Sequence, residues 1–141
     1  MSDEYHSPRA AEPVGPFPHA RRAGNLLFLS GIGPRVRGTT AIPGVRVDGD
    51  GRVIDYDIAE QAHSVFRNVR AVLEDAGSDW ERIVDVTVFL TNMQRDFQTV
   101  NRVWGEYFVT NRPARTTVEI NRLPTPIAIE LKVIATVDER E

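Results

Sequence analysis

The chain has 141 residues, of which 26% are charged and 41% hydrophobic, and its formal net charge is −3. These values are ordinary for one soluble domain, and the negative charge argues against nucleic-acid binding, which requires a basic surface. The absence of cysteine excludes disulfides, thiol catalysis and thiolate metal sites. No apolar run approaches the roughly 20 residues of a membrane helix. We therefore expect a soluble, cytoplasmic protein without nucleic-acid or membrane partners.

The N-terminal part of the chain predicts a tail followed by short strands. Residues 1–13 are polar and contain two prolines, which favours a flexible tail ahead of a single domain at 14–141. Segments 18–22 and 26–30 flank Gly24-Asn25, a pair suited to the positive φ of a tight turn between two strands. Farther on, VRV and RVI flank the turn residues DGDG at 48–51, and this pattern predicts a surface hairpin.

Two amphipathic helices are predicted next. Asp57 and Glu60 have the D-x-x-E spacing of a helix start, and apolar residues then recur every three or four positions through residue 76. The second helix precedes Asn111-Arg112-Pro113, where the helical pattern ends. Its predicted buried stripe consists of Phe97, Val100, Val103, Trp104, Tyr107 and Phe108.

Three further strands are predicted at 83–90, 116–120 and 127–137, the last two joined by the loop NRLPTP. Side chains alternate between the faces of a strand, so two helices can cover only one face of the sheet. The residues predicted for the covered face are Val84, Val86, Val88, Leu90, Val118, Ile120, Ile127, Ile129, Leu131 and Val133. Those predicted for the opposite face are Thr87, Phe89, Arg115, Thr117, Glu119, Glu130 and Lys132. Such a mixed face predicts contact with another subunit, with pockets at the seam.

Arg115 and Glu130, expected on adjacent strands of that opposite face, are the main candidate site residues. A guanidinium can bind a carboxylate through two parallel hydrogen bonds, so Arg115 is a candidate anchor for an anionic substrate. The alternative is an ion pair with Glu119 or Glu130. Glu130 stands between apolar neighbours, where its charged form is disfavoured, and is a candidate proton shuttle. The alternative is structural pairing with Lys132 or an arginine.

His19 is a third candidate, because histidine changes protonation near neutral pH and can act as a base. The alternative is a structural residue whose ring nitrogens are satisfied by hydrogen bonds. The three histidines of the chain lack metal-ligand spacing, so no metal site is predicted.

Four stretches together resemble the RidA (YjgF) family of small imine and enamine deaminases. They are GPFPHARRAGNLLFLSG (15–31), VFRNVRAVLEDAGSDWERIVDVTVFLTNM (65–93), FQTVNRVWGEYF (97–108) and RPARTTVEINRLPTPIAIELKVIA (112–135). The resemblance implies an α+β fold of the chorismate mutase-like type, with a mixed β-sheet and two α-helices packed on one face. It also implies a homotrimer with active sites between subunits.

The resemblance also implies roles for individual residues. Arg115 would hold the carboxylate of a small substrate, and Glu130 would position or activate water, with no metal or cofactor required. The residues expected to contact the substrate are Arg115, Asn101, Ser30, Phe17, Thr117 and His19. Phe17 lacks the phenol hydroxyl of the family's aromatic residue, and Thr117 stands where many members have cysteine. The implied reaction is hydrolysis of an enamine or imine carboxylate to ammonia and a 2-oxoacid.

Residues 36–56 lengthen the connection after LSG relative to general members of the family, and are interpreted as an insertion that carries the predicted hairpin. FPHARRAG together with this insertion is more similar to the 2-aminomuconate deaminase branch, whose substrate is a dicarboxylate. Arg35, Arg37 and Arg46 are candidates to contact its second carboxylate. Two alternatives stay open, namely general clearance of 2-iminoacids and a non-catalytic, small-anion-binding regulatory trimer.

Overall fold

The computed structural model describes residues 3–140 and contains a six-stranded sheet, a two-stranded sheet and two long helices. The strands are β1 (Glu4–Tyr5), β2 (Ala20–Ala23), β3 (Leu26–Leu29), β4 (Val45–Val47), β5 (Val53–Tyr56), β6 (Ile83–Leu90), β7 (Ala114–Glu119) and β8 (Ile129–Thr136). The helices are α1 (Ile58–Asp75) and α2 (Met93–Tyr107), with a short 3₁₀ turn at Trp80–Arg82. Residues 1, 2 and 141, which belong to the predicted tail and domain, lie outside the described residues. No helix within 3–140 is long and apolar enough to cross a membrane.

The strand order in the large sheet is β1-β2-β3-β8-β6-β7, and only the β6–β7 pair of this sheet is parallel. Helix α2 connects these two parallel strands, as a crossover between parallel neighbours requires. The chain then returns across the sheet, and β8 pairs with the other side of β6. The α+β class with a mixed sheet is confirmed. The expected adjacency of the strands that carry Arg115 and Glu130 is wrong, because β6 lies between them.

The aliphatic face of β6 and β8 packs against the helices, as predicted. Its most buried members are Val86, Val88, Leu90, Ile129, Leu131 and Val133, each no more than 1% exposed. Val84 is an exception and is 44% exposed. The pairing of β6 with β8 shifts register between Ile83 and Asp85, so the alternation of buried and exposed side chains is broken at Val84.

The register of β7 reverses the face that the sequence predicts for this strand. The residue pairs are Arg115 with Val86, Thr117 with Val88, and Glu119 with Leu90. Paired residues of neighbouring strands point to the same face, and these partners in β6 face the helices. Arg115 therefore lies on the helix side and Val118 on the open side. The sequence ARTTVE has polar residues at both parities, so only its pairing with β6 determines the face.

A cluster of aromatic rings packs α2 against α1. The ring centroid of Phe66 lies 4.6 Å from that of Tyr107 and 6.2 Å from that of Trp104. Phe108 also packs here, with its ring centroid 6.1 Å from Phe66. Phe97 does not join the predicted stripe and is 38% exposed on the side of α2 that faces β7.

The segment predicted to be a flexible tail packs on the domain over residues 3–13, and the prediction is wrong there. Strand β1 pairs with β2, and Ala10 is 1% exposed. The Ser7 hydroxyl donates a hydrogen bond of 2.6 Å to Asp75 near the end of α1. Specific polar contacts, which composition does not reveal, hold this segment in place. We call Ser7–Val14 the strap.

Strands β4 and β5 form the antiparallel hairpin that the sequence predicts. The Tyr56 hydroxyl donates a 2.6 Å hydrogen bond to Asp96 Oδ2 on α2, and Arg95 Nη2 donates to Asp55 Oδ1 at 2.9 Å. Burial raises the pKa of Asp96 above its ordinary range, and burial together with the bond to Asp96 raises the pKa of Tyr56 to about 12. These contacts fix the hairpin to the start of α2.

We expect Phe66→Ala to lower the free energy of unfolding by about 3–5 kcal/mol, because it leaves a cavity among the rings between the helices. Phe97→Ala removes the same group from an exposed position and should cost less than about 1 kcal/mol. Urea denaturation of both variants at one protein concentration measures the difference. Equal losses would contradict the assignment of Phe97 to the surface.

Candidate functional site

Arg115 lies at the edge of the sheet where β7 faces α2. Its Nε donates a 2.8 Å hydrogen bond to Thr117 Oγ1, and its Nη2 donates one of 2.6 Å to Asn101 Oδ1. The guanidinium carbon lies 4.8 Å from the ring centroid of Trp104 and 5.7 Å from that of Phe97. We call these five residues the arginine cluster. Its partners are neutral, and they orient the guanidinium without cancelling its charge.

The expected alternative, an ion pair of Arg115 with Glu119 or Glu130, is not formed. Glu119 Oε1 instead accepts a 2.8 Å hydrogen bond from the backbone N–H of Met93, at the start of α2. Burial lowers the pKa of Arg115, and no carboxylate among residues 3–140 offsets this effect. Of the five N–H groups of the guanidinium, two are engaged by Thr117 and Asn101, so three remain. A half-buried, uncompensated guanidinium with free donors is suited to bind an anion.

Glu130 borders a cavity of about 50 Å³ beyond the end of β3. We call it the acid cavity, and its lining is mostly apolar; among its wall residues are Phe17, Pro18, Ile32, Pro124 and Ile127. Burial raises the pKa of Glu130 above its ordinary range. The alternative of pairing with Lys132 is not formed, because the Lys132 ammonium donates to the carbonyl of Leu29. Glu130 is therefore a carboxyl group whose proton affinity is increased by its surroundings.

Local backbone pairing places Gly31 directly against the Glu130 carboxyl group. Ile32 and Leu131 exchange two backbone hydrogen bonds of 2.9 Å, which fix the segment after β3 beside β8. A Cβ atom on Gly31 would lie 2.6 Å from Glu130 Oε2, too close for any side chain without movement of the carboxylate. Sequence reasoning missed this role of Gly31. The glycine itself is visible in LSG, but its neighbour is a residue 99 positions away, as the numbers 31 and 130 show.

His19 is a structural residue and not a free base. The backbone N–H of Ser7 donates to His19 Nδ1 at 2.9 Å, so this nitrogen must be the acceptor. The proton is then on Nε2, which donates a 2.7 Å hydrogen bond to the carbonyl of Ala11. The ring is 4% exposed and both nitrogens are occupied by the strap. Both nitrogens are therefore hydrogen-bonded, as in the structural alternative, but His19 also lines the acid cavity, and its contact with substrate stays a prediction.

The other expected contact residues divide between two places. Asn101 and Thr117 belong to the arginine cluster, whereas Ser30 and Phe17 line the acid cavity. The Ser30 hydroxyl donates a 2.7 Å hydrogen bond to the carbonyl of Pro18, so it faces a ligand as an acceptor only. Phe17 is 40% exposed at the mouth of the cavity.

Of the three arginines that are candidates to bind a second carboxylate, only Arg35 lines the acid cavity. Arg35 lines it while Nη2 donates a 2.6 Å hydrogen bond to the carbonyl of Glu12. Arg37 binds carbonyls of the strap, at 3.1 Å and 3.0 Å. Arg46 lies on the hairpin, 3.9 Å from Asp55.

Arg115 and Glu130 do not meet within one chain. Arg115 is opposite Val86 and Glu130 is opposite Phe89, on the two sides of β6. Two strand spacings and a register offset of three residues separate their Cα atoms by about 14 Å. The side chains also lie on opposite faces of the sheet. The expectation that both emerge on one face is wrong, and the arginine cluster and the acid cavity are separate places within one chain.

Within residues 3–140, no group of three or more His, Asp or Glu side chains is arranged to hold a metal ion.

The fold, the arginine cluster and the acid cavity define a class of small α+β domains with one helix-covered face, an unpaired arginine at the sheet edge and an acid on the open face. The family model described as Endoribonuclease L-PSP matches residues 7–137, and the chain belongs to this family, which includes the RidA/YjgF proteins. A 2-iminobutanoate/2-iminopropanoate deaminase of Dermatophagoides farinae is 32% identical over 133 residues, covering 94% of each chain.

Two solved structures from E. coli share the fold over most of this chain. The YjgF gene product has a TM-score of 0.81 at 32% identity, covering 96% of this chain and 98% of its own. TdcF with bound serine has a TM-score of 0.81 at 29% identity, with the same coverage of both chains.

We expect Glu130→Gln to raise the melting temperature at pH 8 by an amount on the order of a few degrees. Because the folded-state pKa of Glu130 is raised, its contribution to stability is present below the ordinary glutamate range and is lost as pH rises through the folded-state value. The gain should therefore shrink toward pH 4. Thermal unfolding at both pH values measures it.

Glu139→Gln, at an exposed position, is the control for the substitution itself, and the effect of Glu130→Gln is compared with it at each pH. A Glu130→Gln effect of equal size at pH 4 and pH 8 would contradict the burial of an ionisable carboxyl group at this position.

Proposed function

We propose that this protein is a hydrolytic deaminase that acts on an enamine or imine carboxylate and releases ammonia and a 2-oxoacid. The observation that carries the proposal is the uncompensated guanidinium of Arg115, held by neutral partners with three N–H donors free. A substrate carboxylate matches the planar arrangement of these N–H donors, because it can accept two parallel hydrogen bonds from a guanidinium. The relative named as a 2-iminobutanoate/2-iminopropanoate deaminase supports the reaction. The serine bound to TdcF, a molecule that also carries a carboxylate, supports the ligand class.

The complete site requires a second copy of the chain, because one chain keeps its two halves apart. The open face of the sheet carries half-buried apolar residues that water alone would cover in a monomer, among them Phe28, Phe89, Val118 and Ile134. A face of this kind is suited to pack against another subunit. In the proposed homotrimer, the arginine cluster of one copy faces the acid cavity of its neighbour, and the substrate lies at the seam.

The reaction follows from the positions of these groups. Arg115 holds the carboxylate next to the reacting carbon, and an enamine substrate first tautomerises to the imine. The oxygen of water adds to the protonated C=N carbon while the Glu130 carboxylate takes one proton from that water. Glu130 returns the proton to the nitrogen, which becomes an ammonium leaving group. The C–N bond then breaks as the hydroxyl becomes a carbonyl, and the proton lost from the hydroxyl is taken up by the departing ammonia. The net change converts an iminium acid and water into a 2-oxoacid and ammonium.

The environment of Glu130 suits a proton shuttle. A base whose pKa is raised toward neutrality both accepts a proton from water and returns it to the leaving amine more readily than an ordinary glutamate. Because Glu130 must begin as the carboxylate, kcat/KM should fall as pH drops through its raised pKa. An iminium carbon is already electrophilic, so positioning and one shuttle are sufficient catalytic apparatus.

The identity of the substrate beyond this class is a separate hypothesis. For 2-aminomuconate, a dicarboxylate, Arg35 at the acid cavity is the one supporting residue of the three candidates. A short 2-iminoacid needs only Arg115 and a small apolar space, and the cavity of about 50 Å³ favours it. Ammonia release from 2-aminomuconate and from an iminoacid generated in situ by an amino-acid oxidase distinguishes the two.

Two other functions compete with the deaminase. A non-catalytic trimer that binds small anions would use the same Arg115 and would bind 2-oxoacids without ammonia release. The family description names an endoribonuclease, but the net charge of −3 provides little attraction for a polyanion.

We expect Arg115→Ala to lower kcat/KM for an iminoacid by at least about 10²-fold, because it removes the charge that binds the carboxylate. Glu130→Gln should lower kcat by about 10²–10⁴-fold. Steady-state ammonia release measures both, and gel filtration shows whether the assembly is retained. Activity unchanged in Arg115→Ala would rule out its role as anchor.

Mixed oligomers test the assignment of the two halves to different copies. Refolding Arg115→Ala and Glu130→Gln chains together at equal amounts should restore about one quarter of wild-type activity, since a site is intact only when one copy supplies the arginine and its neighbour supplies the acid. The same variants refolded separately and then mixed without subunit exchange are the control. No restoration in the co-refolded sample would place both residues in one chain.

A further inference from the structure

The strap (Ser7–Val14) forms one wall of the acid cavity. Its residues Ala10, Ala11, Glu12, Pro13 and Val14 line the same space as Glu130. Four of these five residues have small or apolar side chains. The strap therefore limits how far a ligand can extend from Glu130 on this side.

Arg37 holds the strap by its backbone. The Nη1 group donates hydrogen bonds to the carbonyls of Ser7 at 3.1 Å and Ala10 at 3.0 Å, and Nε lies 3.3 Å from Glu12 Oε1. One guanidinium thus joins both ends of a four-residue turn of the strap. This contact fixes the shape of the wall as well as its distance from the rest of the domain.

His19 fixes the same turn from inside the protein. It accepts from the N–H of Ser7 and donates to the carbonyl of Ala11. Residues 7–14 belong to no strand or helix, so these bonds replace the sheet pairing that holds the rest of the domain. Ser7 and Arg9 also tie the strap to Asp75. His19 itself lines the cavity, whereas Arg37 does not. Substitution of Arg37 therefore alters the wall without removal of any cavity residue.

We propose that Arg37 and His19 are positioning residues that hold the strap as the wall which limits the length of the substrate side chain. The inference rests on the proposed function, because it assumes that the substrate's side chain lies in the acid cavity. The cavity of about 50 Å³ leaves room for a short apolar group beside Glu130. A fixed wall rejects each added methylene, and a difference of one methylene is worth about 10–200-fold in kcat/KM.

The test uses 2-iminoacids generated in situ from alanine, 2-aminobutyrate, norvaline and norleucine by an amino-acid oxidase in the presence of catalase. The measured quantity is the ratio of kcat/KM for the shortest and longest substrates. We expect Arg37→Ala to lower this ratio by about 10-fold relative to the wild type, as one methylene of selectivity is lost. A substitution that only reduces the amount of folded enzyme lowers kcat/KM for the short and the long substrate equally and leaves their ratio unchanged.

His19→Gln keeps one acceptor and one donor in the side chain and should retain more selectivity than His19→Ala. Arg22→Ala is the matched control, because Arg22 also donates to two backbone carbonyls, those of Gly24 and Asp138, away from the strap. It should leave the ratio as in the wild type. A ratio unchanged in both Arg37→Ala and His19→Ala would overturn the proposal while leaving the deaminase function intact.

Calorimetric binding of 2-oxopropanoate and 2-oxohexanoate separates this inference from the proposed function. One outcome is that the wild type binds the short acid selectively without ammonia release, and that Arg37→Ala lacks this selectivity. This outcome would refute the deaminase and support the role of the strap as a wall. Wild-type protein that neither binds 2-oxoacids nor releases ammonia would overturn both.

Discussion

The pairing of β6 with β8 on one side and β7 on the other is the constraint on which the candidate site depends. It places Arg115 at the helix-side edge of the sheet and Glu130 on the open face, two strands away. Neither residue can assist the other within one chain. Assembly of copies is therefore a requirement of the proposed chemistry and not an addition to it, which connects the half-buried open face to the function.

Both half-sites carry charges that the chain does not neutralise. Arg115 has neutral partners, and Glu130 sits against a largely apolar wall, so burial disfavours the charged form of each. Ordinary packing would pair such groups or place them in water. Such isolated groups are candidates for a functional site. Isolation of the Arg115 guanidinium strengthens its contact with an anionic ligand, and isolation of the Glu130 carboxyl increases its proton affinity.

Two segments that lack extended sheet pairing are attached to the domain by side chains. The strap is held through His19, Arg37 and the bond from Ser7 to Asp75, whereas the hairpin is held through the bond from Tyr56 to Asp96. Such contacts join residues far apart in sequence, and each concerns a few polar atoms. A segment of this kind can change its shape between relatives without disturbing the core, which suits a wall that selects substrates.

The sequence by itself determined the two helices, the hairpin and, apart from Val84, the aliphatic face of β6 and β8. Hydrophobic periodicity and turn residues are local features, so they can be recognised in the sequence alone. Only the tertiary structure decided the face of β7, the order of β8, β6 and β7, the role of His19 and the packing of the strap. ARTTVE is polar on both sides, and strand order depends on pairing between distant segments. Hydrogen bonds such as that from Ser7 to His19 leave no periodic trace, because they join single atoms rather than repeating faces.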